Sequence, residues 1–438
     1  MQTYFYQLAD ALCGQTAGSE TLLLYLQGED SDFVRFNKGT IRQGGGVKQI
    51  DLSLDLIDGQ KCASMSMSLQ GDLAADIAAA TFQLSTLRKQ LPSLPDDPYI
   101  LFNTDVQNSE QIAESTLPDT SDIIDTITET GKRFDMVGIY ATGRIVRGFA
   151  NSLGQRNFFS TAPYHLDWCF YAHDDKAVKN SLGGFEWNTN AFHAKVALAE
   201  EALAVVNQPA KTIDPGEYSV YLSPSAMCEI LDMMSWNGFS ARARELKNTC
   251  VLPMMQSGAT MNQAVTLSQN TAGGIAPAFS PAGYSLPDRV TLVDAGALAD
   301  PLVPPRTSAE FNRPVNSGGE SPNSLEMAPG TLATEDILTE LDEGIYCNTL
   351  WYLNFSDMPA GRITGMTRFA TFWVEGGQIA APMNVMRFDE TLFRALGENL
   401  RTLTADREFL PSATTYDQRS TSSRHLPGAI VDNFRFTL

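Results

Sequence analysis

One stretch of the sequence, residues 341–388, restricts the possible folds more than any other. It contains three apolar runs, 344–355, 361–374 and 378–388, which are separated by two short polar breaks. The runs are rich in Ile, Tyr, Trp, Phe, Val and Thr, residues that favour β-strands. The second break holds Gly376-Gly377, and glycine adopts the positive φ of a tight hairpin at little steric cost. The stretch therefore predicts an antiparallel meander.

The N-terminal half alternates between helical and strand patterns. Helices are predicted at residues 4–15, 73–91, 120–134 and 191–206 from apolar spacing and from the prolines that follow the second. Strict alternation over 47–57 predicts a half-buried antiparallel strand, and a triple glycine at 44–46 predicts a break just before it. Because the order of helix, strands and helix occurs twice, we interpret residues 1–117 and 118–208 as an internal duplication within one α+β domain.

The Pro-containing segment 209–216 is the predicted boundary to a mainly β C-terminal domain, residues 216–438. After a strand at 218–222, Ser223 and Pro224 are typical of the first turn of a helix, which is predicted to continue over 225–236. Further predictions are a hairpin at 289–298, a long loop at 301–329, a short helix at 334–339, a last helix at 390–403 and a final strand near the C-terminus. The predicted fold class is α+β.

Composition excludes some classes of function. The chain has 51 acidic and 31 basic residues, a formal net charge of −20, which disfavours binding to a nucleic-acid backbone. The first residues lack the basic start and apolar core of a secretion signal, and no apolar run approaches the roughly 20 residues of a membrane span. Six scattered cysteines without a CxxC pair predict buried reduced thiols in a cytoplasmic protein.

The order of motifs in the C-terminal half, GIY, TGMTR, FWVE-GGQI and MRF, resembles the C-terminal domain of the TldD/PmbA family. Its members are called modulators of DNA gyrase or zinc-dependent peptidases. In the peptidase branch, the helix after the domain boundary carries a HExxxH zinc motif. Here that helix reads SAMCEILDMMSWNGF and holds no histidine. The chain therefore resembles the PmbA/TldE branch, which implies a dimeric partner of a zinc-bearing TldD-like relative.

Metal ligands are sparse in the sequence. Glu229 and Asp232 on the predicted helix are weak candidates, since two carboxylates on one helix are usually a solvated face. The second candidate, His165-x3-Cys169-x3-His173, alternates like a strand, so its members lie about 13 Å apart. Zinc ligands lie only about 2.0–2.3 Å from the metal. We therefore expect no cofactor, and zinc only if a partner or atypical ligands supply the site.

Three hypotheses of function remain open. The first is a non-catalytic subunit or peptide-binding partner of a zinc metallopeptidase, with no catalytic residue of its own. The second is a metallopeptidase with atypical ligands such as Glu229 and Asp232. The third is a regulatory protein-interaction module that acts on a toxin or gyrase system. Neither a GxSxG element nor a nucleotide-binding motif occurs in the sequence.

A peptide site and a dimer surface can be predicted. The family resemblance implies a groove between residues 225–239 and the meander strand 361–374, covered by loop 301–329, to which an extended peptide could add as a strand. The predicted peptide contacts are Arg242, Arg244, Thr364, Thr367 and Arg368, although the two first arginines could instead balance the acidic surface. The many aromatics of the meander predict a homodimer or heterodimer of at least standard interface size.

Overall fold

The N-terminal half of the chain is built on one twisted sheet flanked by helices. A computed structural model describes residues 1–173 and 176–437. Its elements in the first half are α1 (Gln2–Cys13), β1 (Thr21–Asn37), β2 (Thr40–Asp58), β3 (Lys61–Ser68), α2 (Leu73–Gln90), β4 (Ser109–Ile112), α3 (Thr120–Gly131), β5 (Asp135–Asn151), β6 (Arg156–Thr161), β7 (Tyr164–Tyr171), β8 (Ala177–Gly184) and α4 (Thr189–Val206). The strand order is β3-β2-β1-β5-β6-β4, and β7 pairs with both β5 and β8.

The C-terminal half is built on a second, larger sheet. Its elements are β9 (Gly216–Leu222), α5 (Pro224–Ser235), α6 (Ala241–Glu245), α7 (Leu252–Gln256), β10 (Leu267–Asn270), β11 (Arg289–Asp294), β12 (Ala297–Leu298), α8 (Pro305–Phe311), β13 (Ser324–Met327), α9 (Ile337–Leu341), β14 (Gly344–Asp357), β15 (Arg362–Glu375), β16 (Gln378–Pro382), β17 (Arg387–Thr391), β18 (Leu400–Pro411) and β19 (Ser423–Phe436). The strand order is β12-β11-β10-β13-β19-β17-β15-β14-β9, while β16 pairs with β15 and β18 with β19.

The predicted α+β class, with two sheet-containing halves, is confirmed. The predicted meander is also confirmed, since β14, β15 and β16 pair antiparallel in chain order. Gly376 and Gly377 turn the chain between the last two of these strands with φ of +57° and +70°. The domain bounds 1–208 and 216–438 and the internal duplication stay predictions.

Three local predictions are wrong. Residues 390–403 do not form a helix: a π-helical turn at Arg394–Glu398 contains the non-helical Gly397, and β18 then pairs with β19. The segment 301–329 is not one loop, because it contains α8 and β13. The triple glycine does not interrupt β2, which pairs with β1 from Thr40 to Ile57 with one bulge at Arg42 rather than at the glycines. For the two strands β2 and β18, pairing with a neighbouring strand overrides the local pattern.

The six cysteines are all free, as predicted, but only Cys250 and Cys347 are fully buried and the others are half-buried. Within the described residues, no helix is both long and apolar enough to cross a membrane.

The two sheets are joined by a buried arginine. Arg419, from the segment between β18 and β19, is only 3% exposed and reaches into the first sheet. Its guanidinium donates hydrogen bonds to the carbonyl oxygens of Gly143 (3.1 Å) and Pro163 (2.6 Å). Buried Glu29 lies nearby and accepts a 3.4 Å hydrogen bond from the backbone amide of Arg419. A buried charge is tolerated when it is paired and hydrogen-bonded, so this contact fixes the connecting segment on the first sheet.

Ser223 fixes the start of α5. Its hydroxyl oxygen accepts a hydrogen bond from the amide of Ala226 (3.2 Å), and the hydroxyl donates one to the carbonyl of Asn348 in β14 (2.6 Å). The same side chain therefore caps the helix and ties it to the second sheet.

We expect the substitution Ser223→Ala to lower the free energy of unfolding by about 1–2 kcal/mol, since it removes both the cap and a buried hydrogen bond. Urea denaturation of the variant and the parent measures this difference. Ser225→Ala, the same change two residues further along the helix, is the control and should have little effect. Equal losses for the two variants would contradict the capping role.

Candidate functional site

Helix α5 has one buried face and one face that opens on a cavity. The buried residues Ala226, Met227, Ile230, Leu231 and Met234 pack into the core of the second sheet. The opposite stripe consists of Ser225, Cys228, Glu229 and Asp232, which follow the i, i+3, i+4, i+7 spacing of one helix face. All four line a cavity of about 540 Å³. This volume lies within the range of small-molecule and peptide sites.

The far wall of the cavity comes from the first sheet. His165 and Asp167 of β7 line it, together with residues 179–183 of β8. The third wall is the end of β18 and the segment that follows it, residues 409–416, with 422–424 at the start of β19. The cavity therefore lies between the two halves of the chain, where the segment that carries Arg419 meets the first sheet.

Asp232 and Arg424 form an ion pair at one end of the cavity. The guanidinium Nε of Arg424 lies 2.7 Å from the Asp232 carboxylate. The Cys228 thiol lies 3.7 Å from the same carboxylate. Burial and then the charge of Asp232 raise the pKa of the Cys228 thiol above its ordinary range. The thiol therefore stays protonated at neutral pH, which makes it a poor nucleophile.

Two further carboxylates face the cavity beside a single lysine. Glu229 is accessible from the cavity, yet the surrounding protein still raises the pKa of its carboxyl, and the charge of Asp232 raises it further. Burial likewise raises the pKa of Asp167. Lys179 lowers both pKa values, so its ammonium group influences both carboxylates. An acid whose pKa is raised by burial gains free energy when a cation approaches it.

Two polar side chains in the wall have atoms without a hydrogen-bond partner. His165 is 4% exposed, and its Nε2 makes no hydrogen bond. The Nδ2 of Asn180 is also buried without a partner. Burial, followed by the charge of Arg419, lowers the pKa of His165 to about 4, so the imidazole is neutral at neutral pH. Buried polar groups are rarely left unsatisfied, so a water molecule or a ligand is expected beside these two side chains.

The α5 residues do not fit the zinc site that the family resemblance implies. Asp232 is already paired with the cationic Arg424, which would repel a metal ion. Over the described ranges 1–173 and 176–437, no group of three or more His, Cys, Asp or Glu side chains could hold a metal ion. The weak candidates Glu229 and Asp232 thus lie together on the cavity face without a third ligand.

The strand prediction for His165, Cys169 and His173 is confirmed in part. His165 and Cys169 lie on β7, which ends at Tyr171, so His173 lies beyond the strand. Residues 174 and 175, which follow it, lie outside the described part of the chain.

The predicted peptide contacts lie elsewhere. Arg242 is paired with Glu310 at 3.1 Å, and buried Arg244 donates to the carbonyls of Gly238 and Ala299. Thr364 donates to the carbonyl of Phe388, the hydroxyl of Thr367 accepts from the amide of Met386, and the Arg368 guanidinium lies 4.3 Å from the Trp351 ring centre. Of the described residues that line the cavity, none belongs to this predicted set. Their role in peptide binding stays a prediction.

Sequence analysis missed the residues of the first sheet. Alternation placed His165 and Asp167 on one face of a strand, but nothing in the sequence connects that strand to α5. No sequence pattern marked Lys179 and Asn180 as site residues, because the strand that carries them, β8, was not predicted. Helix α5 packs on β14 and β19, and the cavity opens on its other side, towards β8 rather than towards β15.

Comparison with known structures shows the same fold over nearly the whole chain. A protein described as a modulator of a DNA gyrase from Thermotoga maritima is 15% identical, with a TM-score of 0.74 and coverage of 99% of both chains. TldE from Thermococcus kodakarensis is 13% identical, with a TM-score of 0.75 over 95% of this chain and 97% of that one. A protein described as a modulator of DNA gyrase from Bacteroides thetaiotaomicron is 15% identical, with a TM-score of 0.75 over 99% and 98%. At these identities the comparison shows the fold alone.

Comparison with curated protein sequences finds no match. Among protein families, the PmbA/TldA metallopeptidase C-terminal domain matches residues 215–438. The match spans more than half of the 438-residue chain and includes α5 and the meander. The resemblance drawn from the sequence motifs is confirmed, and the protein belongs to the PmbA/TldD family.

Proposed function

We propose that the protein is a non-catalytic, peptide-binding member of the PmbA/TldD family. The observation that carries the proposal is the polar cavity between α5 and β8, with the unpartnered Nε2 of His165 and Nδ2 of Asn180 in its wall. Both atoms are buried in the free protein, so a peptide that enters the cavity gains hydrogen bonds with them only when the two side chains turn towards it.

The edge of β8 supports an extended peptide as the ligand. Among the strands of the described residues, β8 pairs only with β7; on its other edge the carbonyl of Lys179 already accepts a hydrogen bond from the side chain of Asn348 (2.8 Å), so a peptide could pair only with the part of that edge beyond Lys179. The five lining residues of β8, 179–183, run along the cavity wall. An extended peptide could therefore add to this edge through main-chain hydrogen bonds, which need no metal ion.

The chemistry of the lining supports binding without catalysis. A metallopeptidase needs a zinc-bound water, and the α5 residues do not fit zinc. A cysteine peptidase needs a thiolate, and burial keeps the Cys228 thiol protonated. These observations favour the non-catalytic hypothesis over a metallopeptidase with ligands from this chain.

An exposed aromatic surface supports a protein partner. We define this surface as Trp236, Trp351, Tyr352 and Phe355, and of these Trp236 is 68% and Tyr352 69% exposed. Trp236 stacks on Phe355, and Trp351 contacts Tyr352 with ring centres 4.3 Å apart. Exposed Trp and Tyr side chains are enriched among the residues that dominate binding energy at interfaces. We propose that a family member of the same fold, a second copy or a zinc-bearing relative, covers this surface.

We expect the purified chain alone to hydrolyse no peptide and to retain no stoichiometric zinc after dialysis. The reasons are that Asp232 already forms an ion pair with Arg424 and that α5 lacks histidine. Elemental analysis and a fluorogenic peptide assay, with and without added zinc, measure both properties. A zinc-dependent activity that a chelator removes and that Glu229→Gln abolishes would establish the metallopeptidase hypothesis instead.

We expect a bulky side chain in the cavity to block peptide binding. Ser225→Trp places an indole on the cavity face of α5 and should weaken binding of a short-peptide library at least about tenfold, since it fills the space that the peptide needs. Calorimetry or fluorescence anisotropy measures this. Leu198→Trp, on an exposed position of α4 away from the cavity, is the matched control. If the two variants bind equally well, or the parent binds no peptide, the proposal is wrong.

We expect a two-fold dimer, either of this chain or with a zinc-bearing relative, that depends on the aromatic surface. Tyr352→Glu should weaken the dimer about tenfold or more, because it buries a charge where an aromatic ring was. Light scattering at micromolar concentration, with the chain alone and mixed with the relative, measures the mass. Phe82→Glu, at a 68% exposed position on α2, should leave the dimer intact. Monomers in both samples would refute the proposal.

A further inference from the structure

The cavity contains more acid than base. Asp167, Glu229 and Asp232 line it together with the cations Lys179 and Arg424. Because Arg424 and Asp232 neutralise each other at 2.7 Å, the remaining groups are two carboxylates and one ammonium group. The open part of the cavity therefore carries a net negative charge at neutral pH and attracts a cationic group.

We propose that this cavity binds its peptide through a primary ammonium group, either the amino terminus of the peptide or a lysine side chain. The inference rests on the proposed peptide-binding function and names the group that the site selects. It adds a class of ligand to the site, whereas the edge of β8 by itself would bind a peptide of any charge.

The hydrogen-bonding groups of the wall match such a ligand. An ammonium group has three donors and needs acceptors. Glu229 and Asp167 offer carboxylate oxygens from opposite walls, one from α5 and the other from β7. Neutral His165 offers a ring nitrogen as a further acceptor, and its Nε2 is buried without a partner. A protonated histidine could not accept a hydrogen bond, so its low pKa is consistent with this role.

The side-chain amide of Asn180 could donate a hydrogen bond to the carbonyl oxygen next to the ammonium group of the peptide. The amide Nδ2 of Asn180 is a donor, and in a peptide the first carbonyl oxygen lies close to the terminal ammonium group. Acceptors for a cation and a donor for a neighbouring carbonyl thus lie in the same wall. The formal net charge of −20 also raises the local concentration of cationic peptides around the protein.

An anionic ligand is the main competing possibility, since Lys179 could bind the carboxylate of a peptide. Lys179 is half-buried, and its charge acts on the carboxylates of both Asp167 and Glu229. These two carboxylates would repel an anion that approached Lys179. Arg424 is held by Asp232. The charges of the lining therefore favour the cation.

The experiment uses the tightest binder of the peptide library in four forms of otherwise identical sequence. The first two forms contain no lysine: the first has a free amino terminus and the second an acetylated one. The third and fourth forms are both acetylated: the third contains one lysine, and the fourth has norleucine in place of that lysine. Calorimetry with the full chain should show the acetylated, lysine-free peptides at least about tenfold weaker than one of the charged forms. Preference for the first form identifies the amino terminus, and preference for the third identifies the lysine.

Variants assign the preference to the cavity. In Asp167→Asn/Glu229→Gln, the charged and acetylated forms should bind alike, while acetylated peptides should bind as they do to the parent. The double control Glu201→Gln/Glu343→Gln removes the same charge from exposed positions and should keep the preference. If the double variant is unstable, Glu229→Gln alone, at a position open to the cavity, should still reduce the preference for the charged peptide. Thermal melting checks the stability of the single and the double variant.

The outcomes separate the two proposals. If all four peptides bind with equal affinity, the protein binds peptides but the ammonium inference is wrong. If both control and cavity variants lose the preference together, it comes from the overall charge and the inference is likewise overturned. If none of the library binds, the peptide-binding function itself fails.

Discussion

The buried contact of Arg419 with the first sheet is the interaction on which the candidate site depends. Taking a guanidinium out of water is costly, and here its hydrogen bonds to the carbonyl oxygens of Gly143 and Pro163, together with the nearby Glu29, compensate that cost. Burial lowers the pKa of Arg419 only to about 10, so the side chain remains charged at neutral pH. Because breaking such a contact leaves an uncompensated buried charge, the segment between β18 and β19 stays on the first sheet. That segment forms the third wall of the cavity.

The same arginine influences the chemistry of the cavity. Its charge adds to the effect of burial in keeping His165 neutral, and it does so without lining the cavity itself. Structure and electrostatics are therefore coupled at this place: the contact that joins the two sheets also helps to keep His165 neutral, the state in which a ring nitrogen can accept a hydrogen bond. The shared core supports this arrangement, since Ala370 and Phe372 of β15 pack in one cluster with Phe192 and Val196 of α4.

Local signals in the sequence were sufficient for much of the fold but not for the site. Ser223 and Pro224 mark the start of α5, and the double glycine marks a turn of the meander, because caps and tight turns are set by a few adjacent residues. The helix predicted for residues 390–403 is wrong, because their apolar spacing is helical but Gly397 is non-helical and β18 pairs with β19. Asp167 and Glu229 line the same cavity only because of how the two sheets pack. No local pattern specifies a contact between positions so far apart in the chain.

The absence of histidine from α5 changes what this face of the helix can do. In a zinc-bearing relative a metal ion would supply the positive charge at this face; here Arg424 supplies a fixed one beside Asp232. A guanidinium satisfies a carboxylate but has no open coordination position, so it cannot activate water. The rest of the cavity keeps groups that are already desolvated and not yet hydrogen-bonded, Nε2 of His165 and Nδ2 of Asn180. Each such group costs about 1–3 kcal/mol in the free protein, and a ligand that pairs with it recovers that free energy on binding. A site of this kind gains affinity from its own unsatisfied groups, which is the physical reason to expect a ligand where the metal chemistry is missing.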